Sequence, residues 1–226
     1  MITVVIPAAG EGSRFRQAGY TDPKLLIPVL GIPMVYRVLA NVTPVLRPSH
    51  TVVVHRGDLE GWVALDRPTG GALETILRAE GQIDPDDGLL LANCDQLITL
   101  DPDRFVAAAE QHDGAVVVFP SSNPHHSYVE ADADGIITRI VEKEVISRHA
   151  VSGVYYFTRA SEFIAAAKRA IAGDQRVKGE FYVSTAIGLM LEAGAKLIPY
   201  PADTAILGTP DELQLFEMAA RVAADL

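Results

Sequence analysis

The chain is 226 residues long, 49 % hydrophobic and 21 % charged, with a formal net charge of −10 at pH 7. This composition fits a folded globular protein rather than a disordered one, and the acidic balance argues against nucleic acid or an anionic membrane as the main partner. Its one cysteine, Cys94, excludes an internal disulfide and a cysteine-based zinc cluster.

Ile2-Thr3-Val4-Val5-Ile6 is a β-branched apolar run and predicts a first strand buried on both faces. No cationic leader region precedes it, it is too short for a signal-peptide core, and no later run approaches the ~20 apolar residues of a membrane helix. A cytoplasmic location is expected. Pro7-Ala8-Ala9-Gly10-Glu11-Gly12-Ser13-Arg14 follows, a small-residue loop that lets the backbone turn tightly and approach a ligand closely. Gly31-Ile32-Pro33 predicts a helix start, with an apolar face of Met34, Val35, Val38, Leu39, Val42, Val45 and Leu46. Thr51–Val54 reads as the second strand and Asp58–Leu65 as a short helix. Thr69-Gly70-Gly71-Ala72 is a second small-residue turn, leading into a helix through Leu73, Ile76, Leu77 and Ala79. Leu89–Ala92 is a third strand that stops at Asn93-Cys94-Asp95-Gln96, and Asp101-Pro102 caps a helix with Phe105, Val106 and Ala109 turned inward.

This alternation predicts a parallel sheet with helices on both faces. The rhythm then changes. Ala115–Phe119, Tyr128–Ala131, Ile136–Val141 and Val151–Phe157 are closely spaced strands, with Asp134-Gly135 a hairpin signal, so the second half reads as mixed or antiparallel. Helices return at Ser161–Ile171 and Phe181–Ala193, with a strand near Ala195–Tyr200. Thr209-Pro210-Asp211-Glu212 fits a capping box opening a terminal helix. No repeat, low-complexity segment or linker marks a boundary, and residues 1–226 read as one domain.

Free N–H groups in the first loop, followed by Arg14 and Lys24, make a way to hold phosphates. Two common phosphate motifs fail on it. A dinucleotide fingerprint needs a third glycine where Phe15 stands, and a P-loop needs Lys directly after Gly12, where Ser13-Arg14 stands. An ordinary tight turn would explain Gly10 and Gly12 equally well; the two cations favour the cradle. Asp95, just past a buried strand, sits where a carboxylate can hold Mg²⁺ beside phosphate oxygens, and also where a turn or cap residue would sit. Cys94 reads as a small buried hydrophobe, and His125-His126 as loop surface.

Pro7–Phe15 followed by Pro23-Lys24 resembles the signature loop of the sugar-phosphate nucleotidyltransferases, a Gly-x-Gly-[Thr/Ser]-Arg run followed by Pro-Lys. The resemblance continues in order through Gly70-Gly71-Ala72, Asn93-Cys94-Asp95-Gln96, Ser127-Tyr128-Val129, Val141-Glu142-Lys143, Ser152-Gly153-Val154-Tyr155, Gly179-Glu180-Phe181-Tyr182 and Leu207-Gly208-Thr209-Pro210-Asp211. It implies a Rossmann-like three-layer α/β/α fold with a mixed, mostly parallel sheet, like that of the GT-A and nucleotide-diphospho-sugar transferases. The implied activity is Mg²⁺-dependent transfer of a nucleoside monophosphate from an NTP to a sugar 1-phosphate or similar small phosphate, releasing pyrophosphate, for surface-glycan supply. Arg14, Lys24 and Asp95 would be catalytic, with Asp95 the metal ligand. Ala8, Ala9, Gly10, Gly12, Ser13, Gly71, Ala72 and Asn93 would bind the nucleotide. Tyr128, Glu142, Lys143, Gly153 and Glu180 would bind the acceptor.

Read from the residues alone, Glu142-Lys143 is a solvated strand end and Tyr128 an ordinary sheet aromatic. The chain departs from the family pattern at Ile206, where many members carry a second metal-binding Asp two residues before the late Gly-Thr; Asp203 is the nearest upstream carboxylate. The matched motifs also end near the last residue, without the C-terminal helices or β-helix of many relatives. Two other readings stand beside the main one. The same chemistry could act on a non-sugar phosphate, although a choline acceptor calls for an aromatic cage and Trp62 lies outside the motifs. A non-catalytic nucleotide or sugar-phosphate sensor on the same fold is the other.

Overall fold

The computed structural model describes residues 1–46, 50–56 and 62–224. In chain order the elements are β1 (Ile2–Ala8), α1 (Ser13–Gln17), β2 (Pro28–Val29), β3 (Ile32–Pro33), α2 (Met34–Leu46), β4 (His50–Arg56), β5 (Val63–Leu65), α3 (Ala72–Leu77), β6 (Gly88–Ala92) and β7 (Gln96–Thr99). There follow α4 (Pro102–Ala109), β8 (Gly114–Pro120), β9 (Ser127–Ala131), β10 (Ile137–Glu142), β11 (His149–Phe157), α5 (Ala160–Ala172), α6 (Val183–Glu192), β12 (Leu197–Pro201), β13 (Asp203–Ile206) and α7 (Pro210–Ala224).

Among the described residues the main sheet runs β10-β9-β11-β6-β1-β4-β5, with β8 on β11 and β12 on β8. β1 pairs in parallel with β4 and β6, whereas β11 is antiparallel to β6, β8 and β9. The sheet is thus parallel where helices alternate with strands and antiparallel where hairpins replace them, as the spacing of the sequence predicts. The β-branched run of β1 explains its central place. Val5 enters a core with Leu73 and Ile76 of α3, Phe163 of α5 and Ile187 of α6. Val4 and Ile6 point the opposite way, onto Val35 and Val38 of α2 and Phe105 of α4. Period-two alternation therefore buries both faces and produces three layers.

A third, smaller core joins Phe15, Ile27, Val29 and Met34 to Leu207 and Leu213. It fastens the first loop to the start of α7. The caps behave as their residues dictate: the Asp101 carboxylate accepts the Arg104 N–H at 3.1 Å, and the Thr209 hydroxyl donates to Glu212 Oε2 at 2.9 Å.

Several expectations need correction. Ile32-Pro33 belongs to the short β2–β3 ladder, and α2 begins only at Met34. The stripe of α2 is buried at Met34, Val35, Val38 and Val42; the side chains of Val45 and Leu46 lie outside those described. Val63–Leu65 is an edge strand pairing with β4, not the end of a helix, and residues 58–61 lie outside the described ones. β7 and β13, unforeseen from the sequence, form an antiparallel pair in which Gln96 faces Ile206 and Thr99 faces Asp203. No helix among the described residues is long and apolar enough to cross a membrane.

Candidate active site

After β1 the chain passes through α2 to β4 and β5 on one side of it, then returns through α3 to β6 on the other. The carboxyl ends of β1 and β6 consequently flank the crevice where an open α/β sheet binds its ligands. Two adjoining cavities open there. One, of about 580 Å³, is bounded by Ala8, Ala9, Gly71, Ala72 and Cys94. The other, of about 420 Å³, is bounded by Arg14, Glu142, Lys143, Gly153 and Tyr182. Gly10, Gly12, Ser13, Lys24, Ala72, Asn93, Asp95 and Glu180 border both.

The seam between the cavities is an ion pair. Lys24 Nζ donates to Asp95 Oδ2, with the two side chains 18 % and 24 % exposed. Gly12, left-handed at φ 63°, makes this approach possible, because a Cβ there would sit 2.9 Å from Lys24 Cβ. Burial is the largest influence on the Lys24 ammonium and pushes its pKa down, but the attraction and hydrogen bond of Asp95 contribute to a net rise above the ordinary lysine value. Cys94, in contrast, has its thiol pushed up to about 12 by burial and is neutral. That fits the small buried hydrophobe expected.

Beside the smaller cavity, β10 ends at Glu142, and Lys143 follows it. Ser127 and Ser184 both donate to Glu142 Oε2, the latter at 2.8 Å. Burial pushes the Glu142 carboxyl up; the two hydroxyls and Lys143 oppose this without cancelling it. Lys143 is held left-handed at φ 58°, unusual for a side chain, and its N–H donates to the His126 carbonyl at 3.0 Å. The side chain reaches Tyr182, donating to its hydroxyl and lying 4.4 Å from the ring centroid. Burial first, then the Glu180 carboxylate, raises the Tyr182 phenol above its usual range. Gly153 lies where the β11–β8 register shifts, at φ 90°, and its carbonyl accepts the Asn93 N–H at 2.9 Å. A Cβ there would strike Asn93 Nδ2 at 2.3 Å.

Every residue that the motifs nominated borders one cavity or both, with one exception. Tyr128 has no exposed surface, and its hydroxyl donates to the Asn123 carbonyl at 2.8 Å. Alternation is the reason: Ser127 turns toward Glu142 and the cavity, so Tyr128 points to the opposite face. Tyr155 and Tyr182 line the cavity instead. His125 and His126 also border it rather than lying on plain loop surface, and burial lowers the His126 pKa. Asp203 is not brought round, being exposed at the far end of β13. Trp62 packs near Tyr36 and His55, at 5.7 and 6.0 Å between ring centroids.

The model of the MobA-like NTP transferase domain matches residues 4–179, well over half of the chain. The chain belongs to the MobA-like NTP transferase family. This bears out the nucleotidyltransferase resemblance read from the ordered motifs. Among curated relatives, this MobA-like chain is 26 % identical to the bifunctional protein GlmU of Leifsonia xyli subsp. xyli, over 99 % of its length and 50 % of that protein's. It is 27 % identical to GlmU of Brevibacillus brevis, over 97 % of its length and 51 % of that protein's. It thus spans about half the length of the curated relatives it matches.

Solved structures agree on the fold. A nucleoside-diphosphate-sugar pyrophosphorylase from Vibrio cholerae RC9 has a TM-score of 0.83 at 20 % identity, covering 96 % of this chain and 100 % of that one. A putative glucose-1-phosphate thymidylyltransferase from Bacillus anthracis has 0.80 at 19 %, covering 98 % and 96 %. Likenesses at these identities establish the mixed, mostly parallel α/β architecture and carry no substrate.

Proposed function

We propose that this MobA-like protein, acting as one catalytic domain over residues 1–226, transfers a nucleoside monophosphate from an NTP to a sugar 1-phosphate or similar small phosphorylated acceptor. Pyrophosphate is released, and the product supplies cell-surface glycan synthesis in the cytoplasm. The observation that supports this reading is the pair of cavities that meet at Lys24 and Asp95. A two-substrate displacement at phosphorus needs two compartments with charge-neutralising groups at their junction. The relatives named GlmU and the structures titled pyrophosphorylase or thymidylyltransferase point the same way.

In this mechanism the acceptor's phosphate oxygen attacks the α-phosphorus as the bond to the leaving pyrophosphate breaks, so no covalent enzyme intermediate is needed. The loop Ala8–Ser13 and Arg14 hold the β- and γ-phosphates. Gly71 and Ala72 face the base, and Asn93 borders the ribose side. Lys24 neutralises charge developing at the α-phosphate, and its pKa shift keeps it cationic at physiological pH. Lys143 meets the acceptor's phosphate, while Glu142, Gly153 and Glu180 border its remaining groups.

The residues also fit a magnesium ion. Among the described residues no three of His, Cys, Asp and Glu gather as a metal cluster, which suits an ion that takes one or two carboxylates and fills its shell with phosphate oxygens and water. Asp95 is a hard oxygen donor that already holds a cationic group, Lys24, on Oδ2. It would be the protein's ligand, and the ion would add Lewis-acid polarisation of the α-phosphate.

The test is pyrophosphate release with Mg²⁺, each of four NTPs and a panel of sugar phosphates. Lys24→Ala and Asp95→Asn are expected to lower kcat by roughly 10²–10³-fold, as loss of a preorganised charge-stabilising group does. An NTP that binds without pyrophosphate release on any acceptor would instead make the protein a sensor.

A further inference from the structure

Glu212 borders the acceptor-side cavity and has no task in the mechanism above. It stands on the first turn of α7, where its N–H donates to Thr209 Oγ1 at 3.3 Å and its Oε2 accepts the Thr209 hydroxyl. Leu213, the next residue, is 2 % exposed in the core that also holds Phe15 and Leu207. Among the described residues no lysine or arginine forms an ion pair with Glu212; the base that feels its charge is His126, across the same cavity.

Gly208 discloses what this carboxylate faces. A Cβ on Gly208 would lie 3.2 Å from Asp95 Oδ2, 3.4 Å from Glu212 Oε2 and 3.7 Å from Ile206 Cγ2. Three side chains from separate places in the sequence therefore converge on one point. The backbone fixes the convergence, since the Leu207 N–H donates to the Asp95 carbonyl at 2.7 Å. Ile206 is the position where the family pattern carries an acid, and its side chain does approach the point where that acid would act. It is apolar here. Asp95 Oδ2 and Glu212 Oε2 thus border one small space, where the Lys24 ammonium pairs with Asp95 and the Thr209 hydroxyl with Glu212.

We propose that Glu212 is the second protein carboxylate for the divalent cation held by Asp95, taking over the task of the acid absent at Ile206. This rests on the metal reading of the proposed function. Mg²⁺ accepts one or two carboxylates alongside phosphate and water, so the relocated oxygen completes an ordinary donor set.

The test measures Mn²⁺ binding by electron paramagnetic resonance in the presence of an NTP analogue with a non-hydrolysable α,β-bridge. Glu212→Gln keeps both cap hydrogen bonds and removes only the charge. It is expected to weaken Mn²⁺ about tenfold or more, with the melting temperature in EDTA unchanged. Adding Ile206→Asp to that variant should restore the affinity, because the new carboxylate starts from the same point. If Glu212→Gln binds Mn²⁺ as tightly as the unaltered protein while Asp95→Asn loses it, Asp95 acts alone and the proposal is overturned. If the unaltered protein takes no Mn²⁺ with the analogue bound, the metal reading itself falls, and this inference with it. Should Glu212→Gln not fold, Glu212→Ala, which also carries no carboxylate, poses the same question: weakened Mn²⁺ supports the role, and unchanged Mn²⁺ removes it.

Discussion

Glu142 shows what single residues give up for a site. Its carboxylate is part-buried among Ser127, Ser184 and Lys143, and burial holds its folded-state pKa above the ordinary value of 4.5. Below that value the group is neutral in both folded and unfolded chains, and folding loses nothing. As pH rises the unfolded chain ionises first, so stability declines until the folded-state pKa is also passed. Glu142→Gln removes this loss while keeping an oxygen for the two serine hydroxyls, which both address Oε2. The variant should melt at nearly the same temperature as the parent near about pH 4 and above it at about pH 7.5, as followed by circular dichroism. Acceptor KM should rise in the same variant. A melting difference that stays constant across that range would show that burial of the charge is not its source. A carboxylate that weakens the fold and borders a cavity is the pattern expected of a group held for binding.

At the scale of elements, the site depends on two segments that meet far from their places in sequence. The Phe181 N–H donates to the Gly70 carbonyl at 2.8 Å, and the Leu73 N–H donates to the Phe181 carbonyl at 3.1 Å. Arg176 lies over the Phe181 ring, its guanidinium carbon 3.9 Å from the centroid. This docking joins the Gly70–Ala72 turn of the larger cavity to Glu180 and Tyr182 of the smaller one. Gly71 makes it possible at φ 143°, where a Cβ would meet the Phe181 carbonyl oxygen at 2.4 Å and its nitrogen at 2.6 Å. Those are backbone atoms and cannot swing away. Gly71→Ala should therefore cost ~1–3 kcal/mol in urea unfolding and raise KM for NTP and acceptor together. Gly10→Ala is the control: nothing lies within 4 Å of its Cβ position and its φ is not positive, so folding should change by less than about 1 kcal/mol. If Gly71→Ala behaves like Gly10→Ala, the docking does not hold the two sides together.

The same elements show what could be read beforehand. Gly70-Gly71-Ala72 was legible as a turn, because glycine and small residues mark the backbone locally, and Gly179–Tyr182 as a motif at the start of a helix. Their pairing was not, since nothing in either stretch names its partner. β7 and β13 escaped for a related reason: four residues, following turn-forming Asn93 and Asp95 in β7 and opening on Asp203 in β13, give too short an alternation to register as strands. Tyr128 was assigned to the wrong face because a one-residue change of parity in a strand exchanges the cavity for the core. Glu212 was legible as a cap residue, and its second aspect needed the spatial approach of Asp95. Local chemistry was written in the sequence; long-range convergence was not.

Across the whole molecule, a chain of net charge −10 gathers Arg14, Lys24 and Lys143 around one crevice, so the attraction for a polyphosphate is local and not a property of the overall charge. The two cavities divide along the architecture. The larger is built from the parallel strands β1 and β6 with the α3 turn, and the smaller from β10, β11 and the starts of α6 and α7. Because the Phe15–Leu213 core ties the first loop to the last helix, a triphosphate seated on that loop should stabilise the molecule as a unit. A ligand bound only by the native state at a hundred times its Kd adds about 2.7 kcal/mol. For a chain of this size each kcal/mol raises Tm by roughly 2–4 °C, so one NTP with Mg²⁺ should raise Tm by about 5–10 °C. In the proposed mechanism the base would meet a cavity wall of fixed backbone at Gly71 and Ala72, so the other three NTPs should give much smaller shifts at equal concentration. Equal shifts from all four would mean that the cavity reads phosphates and not the base. No shift from any of them would mean that the Gly10–Lys24 loop is not a triphosphate site.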